Sequence, residues 1–228
     1  MVSAGLRKRL STSHRSPSDD DLARIRAVID AHQPGFREAV VADARITARY
    51  RGEHEDFRSG WEAALQVTRL CLITDSFFAQ VCYRAKVACR SRGVVIVPSI
   101  LHRLAIITGQ VSIGDKVVLR PGIYLPHGQV VIDGLVLVEE GVVLRPFVTL
   151  GLSDGSLYGP VIGRGVYIGT GAKVIGQLEI GERAQVGANA AVVRDVAAGT
   201  TVVGVPARPV EHRDDQHPSD TLPEHRDL

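Results

Sequence analysis

Between residues 111 and 192 an aliphatic side chain returns every six positions, and few backbones can bury such a pattern. The series runs Ile113, Leu119, Leu125, Ile132, Val138, Leu144, Leu150, Ile162, Ile168, Val174, Ile180, Val186 and Val192, with two interruptions. Two positions ahead of nearly every member stands a second apolar residue: Val111, Val117, Ile123, Val130, Val136, Val142 and Val148, then Val166, Ala172, Leu178, Ala184 and Ala190. Only Pro160 breaks the pairing. A spacing of two along extended chain puts both side chains on one face, so each unit offers a short strand with two inward residues. An amphipathic helix would need intervals of three and four, which the series does not keep. No single unit can bury its face alone, but a stack of coils can, and a six-residue period is a parallel β-helix signature. A sandwich of short valine-rich strands is the alternative, and thirteen matched positions weigh against it. Glycine often follows the aliphatic residue, as at Gly114, Gly151, Gly163, Gly169, Gly181 and Gly187. This predicts corners with left-handed backbone angles.

The remaining composition narrows the class. Aromatic residues make up 5% of the 228, which suits a thin core of stacked aliphatic side chains. A formal net charge of +2, with no basic run in the repeat, leaves no electrostatic footprint for nucleic acid. No apolar run approaches the ~20 residues of a membrane span, and the N-terminus lacks the apolar core of a signal peptide. A cytoplasmic protein that binds neither nucleic acid nor membrane is expected. Cys71, Cys82 and Cys89 are odd in number and form no CxxC pair, so they read as small hydrophobes of a reduced protein.

Around the repeat, residues 1–17 have no period and are expected to be disordered. Ser18 and Asp19 to Asp21 predict a helix start, followed by Leu22, Ile25, Val28 and Ile29. Phe36, Val40, Val41 and Ala44 predict a second helix. Phe57, Trp61, Leu65 and Leu72 predict a third, starting near Glu55, and Phe77, Phe78, Val81, Cys82, Ala85 and Cys89 a fourth, ended by Gly93. Pro98, Ile100, Leu101, Leu104 and Ala105 predict a short fifth helix. The expected division is thus a helical region over 18–107, a coil over 108–208 and a mobile tail over 209–228.

The two interruptions are where outward bulges, and therefore function, are expected. The first is a seven-residue step from Leu125 to Ile132 holding Pro126, His127 and Gly128; the second is a twelve-residue step from Leu150 to Ile162 that includes Tyr158. His127 is the only histidine between residues 103 and 211. A lone histidine is more often structural than catalytic, but at a corner it would project outward and could take a proton near neutral pH.

Residues 111–210 resemble the left-handed β-helix of hexapeptide-repeat acyltransferases, and most of all the serine acetyltransferase group. The resemblance is carried by Leu125-Pro126-His127-Gly128 with Ile132-Asp133-Gly134, by Val148-Thr149-Leu150-Gly151, by Ile168 to Gly176, and by Gly204-Val205-Pro206-Ala207-Arg208. It implies a homotrimer with acetyl-CoA as co-substrate in the groove between coils, no metal, and His127 as general base toward a small-molecule hydroxyl or amine. It also implies a CoA site at Gly151, Thr170, Ala188 and Arg208. Outward apolar residues such as Val131 and Val143 fit assembly. Departures concern the acceptor. The family's aspartate before the histidine is Pro126 here, and its Arg-His-Pro loop matches Tyr158-Gly159-Pro160. The further aspartate that pairs with the histidine aligns near Ser112. Free serine is therefore not the expected acceptor, and Tyr158 is expected to roof a different one. A carbonic-anhydrase-type coil would need three histidines on a metal; a non-catalytic scaffold remains the alternative function.

Overall fold

The structure is a computed structural model and describes residues 27, 29, 31–154 and 156–210. The expected disorder of 1–17, the helix start at Ser18 and most of the tail lie outside these residues. Among the described residues, 27, 29, 31 and 32 are helical, and four bounded helices follow before the repeat: α1 (Phe36–Tyr50), α2 (Gly60–Ile73), α3 (Phe77–Arg90) and α4 (Ile96–Gly109). α2 starts later than expected because Ser59 is its N-cap, its hydroxyl accepting from the Glu62 amide at 3.1 Å. The stripe expected on α2 faces outward instead. Trp61, Leu65 and Leu72 are exposed, while Ala63 and Leu70 are buried, Leu70 packing with Ala44 and Phe77.

Fourteen strands then visit three faces in turn. The first face holds β1 (Val111–Ile113), β3 (Val130–Ile132), β6 (Thr149–Gly151), β9 (Lys173–Ile175) and β12 (Ala191–Val192). The second holds β2 (Val118–Leu119), β4 (Leu135–Val138), β7 (Tyr158–Ile162) and β10 (Glu179–Ile180). The third holds β5 (Val143–Leu144), β8 (Tyr167–Ile168), β11 (Gln185–Val186), β13 (Thr201–Val203) and β14 (Arg208–Pro209), with a bridge from Tyr124 to Val143 continuing it toward the first turn. All pairings are parallel except β13 with β14. Every member of the six-residue series is buried, and so is every partner two positions ahead, Pro160 included. The core is therefore the column the period describes.

Two corrections concern the corners and the ends. The glycines that directly follow the aliphatic residues do not adopt left-handed angles. They are required because the rungs stack closely: a Cβ on Gly163 would lie 2.8 Å from the Glu182 amide, and one on Gly169 2.7 Å from that of Ala188. Most left-handed positions of the coil form two ladders, Gln110, Gln129, Phe147, Gly171 and Asn189 on one edge and Gly122, Gly141, Gly165, Arg183 and Gly199 on another, with Gly134 and Gly176 on the third edge and Gly204 after β13. At the C-terminal end Pro209 belongs to β14 rather than to a tail, and the Val210 amide donates to the Thr201 carbonyl at 2.8 Å.

At the N-terminal end α3 closes the coil. A strand edge with no neighbour exposes carbonyls that need donors. α3 supplies them from its polar side: Gln80 Nε2 to Ile123 O (2.9 Å), Tyr83 Oη to Val117 O (2.8 Å), Arg84 to Leu119 O and Arg120 O, and Lys86 Nζ to Ile113 O (2.6 Å). Arg84 also pairs with Asp43 of α1 at 2.9 Å, and Asp43 accepts from the amides of Gly122 and Ile123. Both side chains are almost fully buried.

Candidate functional site

The seven-residue step places Pro126, His127 and Gly128 at the edge where the chain passes from the third face to the first. The corner is seated on the helices. Ser76 donates to the Leu125 carbonyl, and the Gln129 amide donates to the Gly109 carbonyl at 3.3 Å. Gly128 lies so close to the end of α4 that a Cβ there would collide with the Gly109 carbonyl oxygen. With Ser76 docked, the preceding residue is carried to the histidine: His127 Nδ1 lies 2.8 Å from Asp75 Oδ2. A carboxylate accepts, so Nδ1 donates and Nε2 keeps its lone pair, the tautomer a general base needs. Both side chains are largely exposed, at 58% and 72%, so one chain leaves this pair open to a ligand or to a second chain.

Asp75 is the residue that sequence reasoning missed. Ser112, where the family's aspartate aligns, sits in β1 opposite Val131. Asp75 lies 52 residues before the histidine, at the junction of α2 and α3, and its only local signal is its place ahead of a helix start. Phe147 was also missed. It occupies the same edge one rung further along, 55% exposed, with φ of 63°. A bulky residue in left-handed backbone is uncommon and is held only where its surroundings fix it. Here the Gly171 amide donates to the Pro146 carbonyl at 2.9 Å, and Lys173 Nζ donates to the Phe147 carbonyl at 2.5 Å.

The other expected site residues divide. Thr170 and Ala188 fall between third-face and first-face strands, on the edge that carries His127, and both are exposed. Arg208 is exposed in β14 at the end of the coil. Gly151 is buried at the end of β6, on the opposite edge of the first face, so the structure does not bring it to the same row. The loop before β7 leaves from that opposite edge too. Tyr158 is the first residue of β7 and packs against the cluster of Ile29, Val118, Leu135 and Leu137. Within one chain, the length of a first-face strand separates its ring from His127, on the order of 10 Å at 3.3 Å per residue. Arg84 is spent on Asp43 and on carbonyls of the first turn, so it does not reach the site. Val131 is exposed, but Val143 is buried within one chain and adds nothing to an assembly surface. Among the described residues no group of three or more His, Cys, Asp or Glu could hold a metal ion, and no helix is long and apolar enough to cross a membrane.

No family model matches the chain. Relatives do. Serine acetyltransferase of Escherichia coli K12 is 31% identical over 192 residues, covering 82% of this chain and 70% of that one. The Helicobacter pylori J99 protein of the same name is 31% identical, covering 67% and 87%. That of Synechococcus elongatus is 34% identical over 160 residues, and the chain spans 65% of its length. Among solved structures, soybean serine acetyltransferase superposes with a TM-score of 0.65 at 30% identity, over 84% of this chain and 75% of that one. The Neisseria gonorrhoeae enzyme in complex with serine gives 0.64 at 28%, over 88% and 80%. With the three-faced coil, the helical region ahead of it and identities of this extent, the chain belongs to the serine acetyltransferase family.

Proposed function

We propose that this chain transfers an acetyl group from acetyl-CoA to a hydroxyl or amine of a small molecule, with His127 as general base and Asp75 as the carboxylate that orients it. The observation that carries this reading is the His127–Asp75 contact at the break in the period. In the reaction, Nε2 of His127 takes the acceptor's proton as the acceptor oxygen or nitrogen attacks the thioester carbonyl. Asp75 holds the Nδ1 proton and stabilises the imidazolium that forms. Corner backbone amides stabilise the oxyanion. On collapse the C–S bond breaks, and His127 returns the proton to the departing thiolate. No covalent enzyme intermediate is required.

The coil is read here as a left-handed β-helix, with a helical region over 18–107 and the acyltransferase coil over 108–208. Thr170 and Ala188 share the His127 edge and are assigned to the pantetheine arm, with Arg208 assigned to a phosphate. A solved serine acetyltransferase in complex with CoA is 26% identical with a TM-score of 0.64, which supports the donor. Gly151, and Tyr158 as acceptor roof, would join this row only from a neighbouring chain. A homotrimer, in which adjacent coils face each other across the exposed His127 edge, supplies that geometry. A cytoplasmic location fits the acetyl-CoA donor.

The relatives' name makes L-serine the first acceptor to test, and two departures argue against it. Pro126 offers no side-chain acceptor to an ammonium, and Gly159 no donor to a carboxylate, so an amino acid's charges would be desolvated without partners, at several kcal/mol. Thiol release from acetyl-CoA with a panel of acceptors tests both levels. Release with no acceptor overturns acyl transfer and favours the scaffold; the highest specificity constant for L-serine overturns only the acceptor reading.

A further inference from the structure

On a different edge of the coil, α1 and the start of α2 line an open cavity of about 870 Å³. Its coil wall is formed by Gly122 and Gly141, members of the left-handed ladder between the second and third faces. His127 belongs to the other ladder, so this cavity is separate from the proposed acyl-transfer site.

The cavity's charges are unbalanced in an informative way. α1 sets Arg37, Val41, Arg45 and Arg49 four residues apart, on one stripe that lines the cavity, and Arg58 faces them from ahead of α2. On an exposed helix, like charges at a spacing of four repel, and a carboxylate interleaved among them is the stable choice. Only Arg49 has one, Glu55 at 2.5 Å. Arg37, Arg45 and Arg58 make no ion pair with any described residue, and Arg45 lies over the Phe57 ring at 5.8 Å. Of the two carboxylates that also line the cavity, Glu140 is bound to Arg164 at 2.9 Å. Glu38 alone is left opposite three guanidiniums. The first turn of α2 lies on the same side, with its own carboxylate, Glu62, turned back to accept from the Arg58 amide at 2.6 Å. Val41, Ile46, Phe57 and Ala63 give the cavity an apolar floor.

We propose that this cavity binds a small organic molecule carrying two or more oxyanion charges, held by Arg37, Arg45 and Arg58 with its carbon body on the Val41–Phe57 floor. Guanidinium forks match phosphate and carboxylate oxygens alike, and the volume falls in the range of small-molecule sites. The site stands independently of the acyl-transfer reading, because it uses none of that edge's residues.

Isothermal titration of the full chain with inorganic pyrophosphate, citrate and ADP tests it. Saturable binding of at least one is expected. Tighter binding of ADP than of pyrophosphate would show use of the floor, and the better of pyrophosphate and citrate identifies the oxyanion. Arg45→Gln and Arg37→Gln are each expected to weaken binding about tenfold, the loss of one charge-assisted contact, while Arg183→Gln leaves it unchanged. Both cavity arginines are exposed, so unaltered thermal melting of their variants confirms that the fold is kept. Absence of binding by all three probes, wild-type affinity in both cavity variants, or an equal loss in Arg183→Gln overturns the proposal.

Discussion

Replacing Arg84 by methionine should cost more than any other single change at the junction of helices and coil. The side chains of Arg84 and Asp43 are 3% and 2% exposed. Methionine keeps much of the volume but withdraws the contacts to both Asp43 oxygens, at 2.9 and 3.2 Å, and the donors to the Leu119 and Arg120 carbonyls. Asp43 would remain a buried carboxylate held only by the amides of Gly122 and Ile123, each at 2.9 Å. Breaking a buried pair from one side costs roughly 3–5 kcal/mol, because it strands a charge. At ~2–4 °C per kcal/mol for a domain of this size, the melting temperature should fall by roughly 6–20 °C. Asp43→Asn with Arg84→Met should lose less than the sum of the singles by about 0.5–3 kcal/mol. Circular dichroism melts and denaturant titrations of the four proteins give the cycle. A loss below about 1 kcal/mol for Arg84→Met would refute the argument, since so small a cost is that of a solvated pair.

Further outcomes are expected. His127→Ala should lower acyl transfer by roughly 100- to 10,000-fold and Asp75→Asn by about tenfold, the worth of one hydrogen bond to a charged group; steady-state thiol release checks both, and unchanged turnover in His127→Ala removes the assignment. Thr170→Trp should raise the CoA dissociation constant without changing the melting curve, and an unaltered constant would remove Thr170 from the donor site. Gly128→Ala should destabilise the corner and reduce activity, because its methyl group would meet the Gly109 carbonyl; wild-type melting and turnover would show that α4 gives way freely. Burial pushes the Tyr83 phenol up to about 12 from its usual 10.0. Stability from that group is full below pH 10 and lost as pH rises through 12, so an alkaline denaturation series should show a decline in this window that Tyr83→Phe lacks.

The column of the coil was legible because a six-residue period is a one-dimensional property, and side chains such as Ile132 and Val174 need no knowledge of their neighbours to be placed inward. The helices were legible in extent but less so in orientation. α3 was read by its apolar stripe, yet Gln80, Arg84 and Lys86 are also buried, because the open end of the coil presents carbonyls that only polar side chains can satisfy. On α2 large apolar residues face outward and Ala63 inward, since close approach to α1 favours the small side chain. At the candidate site His127 was visible as a break in spacing. Asp75 was not, since its contact depends on how Ser76 docks a distant junction onto the Leu125 carbonyl. Tyr158 and Gly151 were assigned by resemblance, and within one chain the first face separates both from the histidine.

The ladder of left-handed residues Gln129, Phe147, Gly171 and Asn189 also makes the edge a ruler. Adjacent rungs are about 4.8 Å apart, so the three steps from the His127 corner to the Ala188 corner measure on the order of 14 Å along the coil. That distance is set by counting turns and not by either corner's own residues. Gaining or losing one complete turn would therefore change the gap between His127 and Ala188 by one graduation, leaving the residues at each mark as they were. An insertion of any other length must leave the coil as a loop, as the residues ahead of β7 do on the opposite edge of the first face.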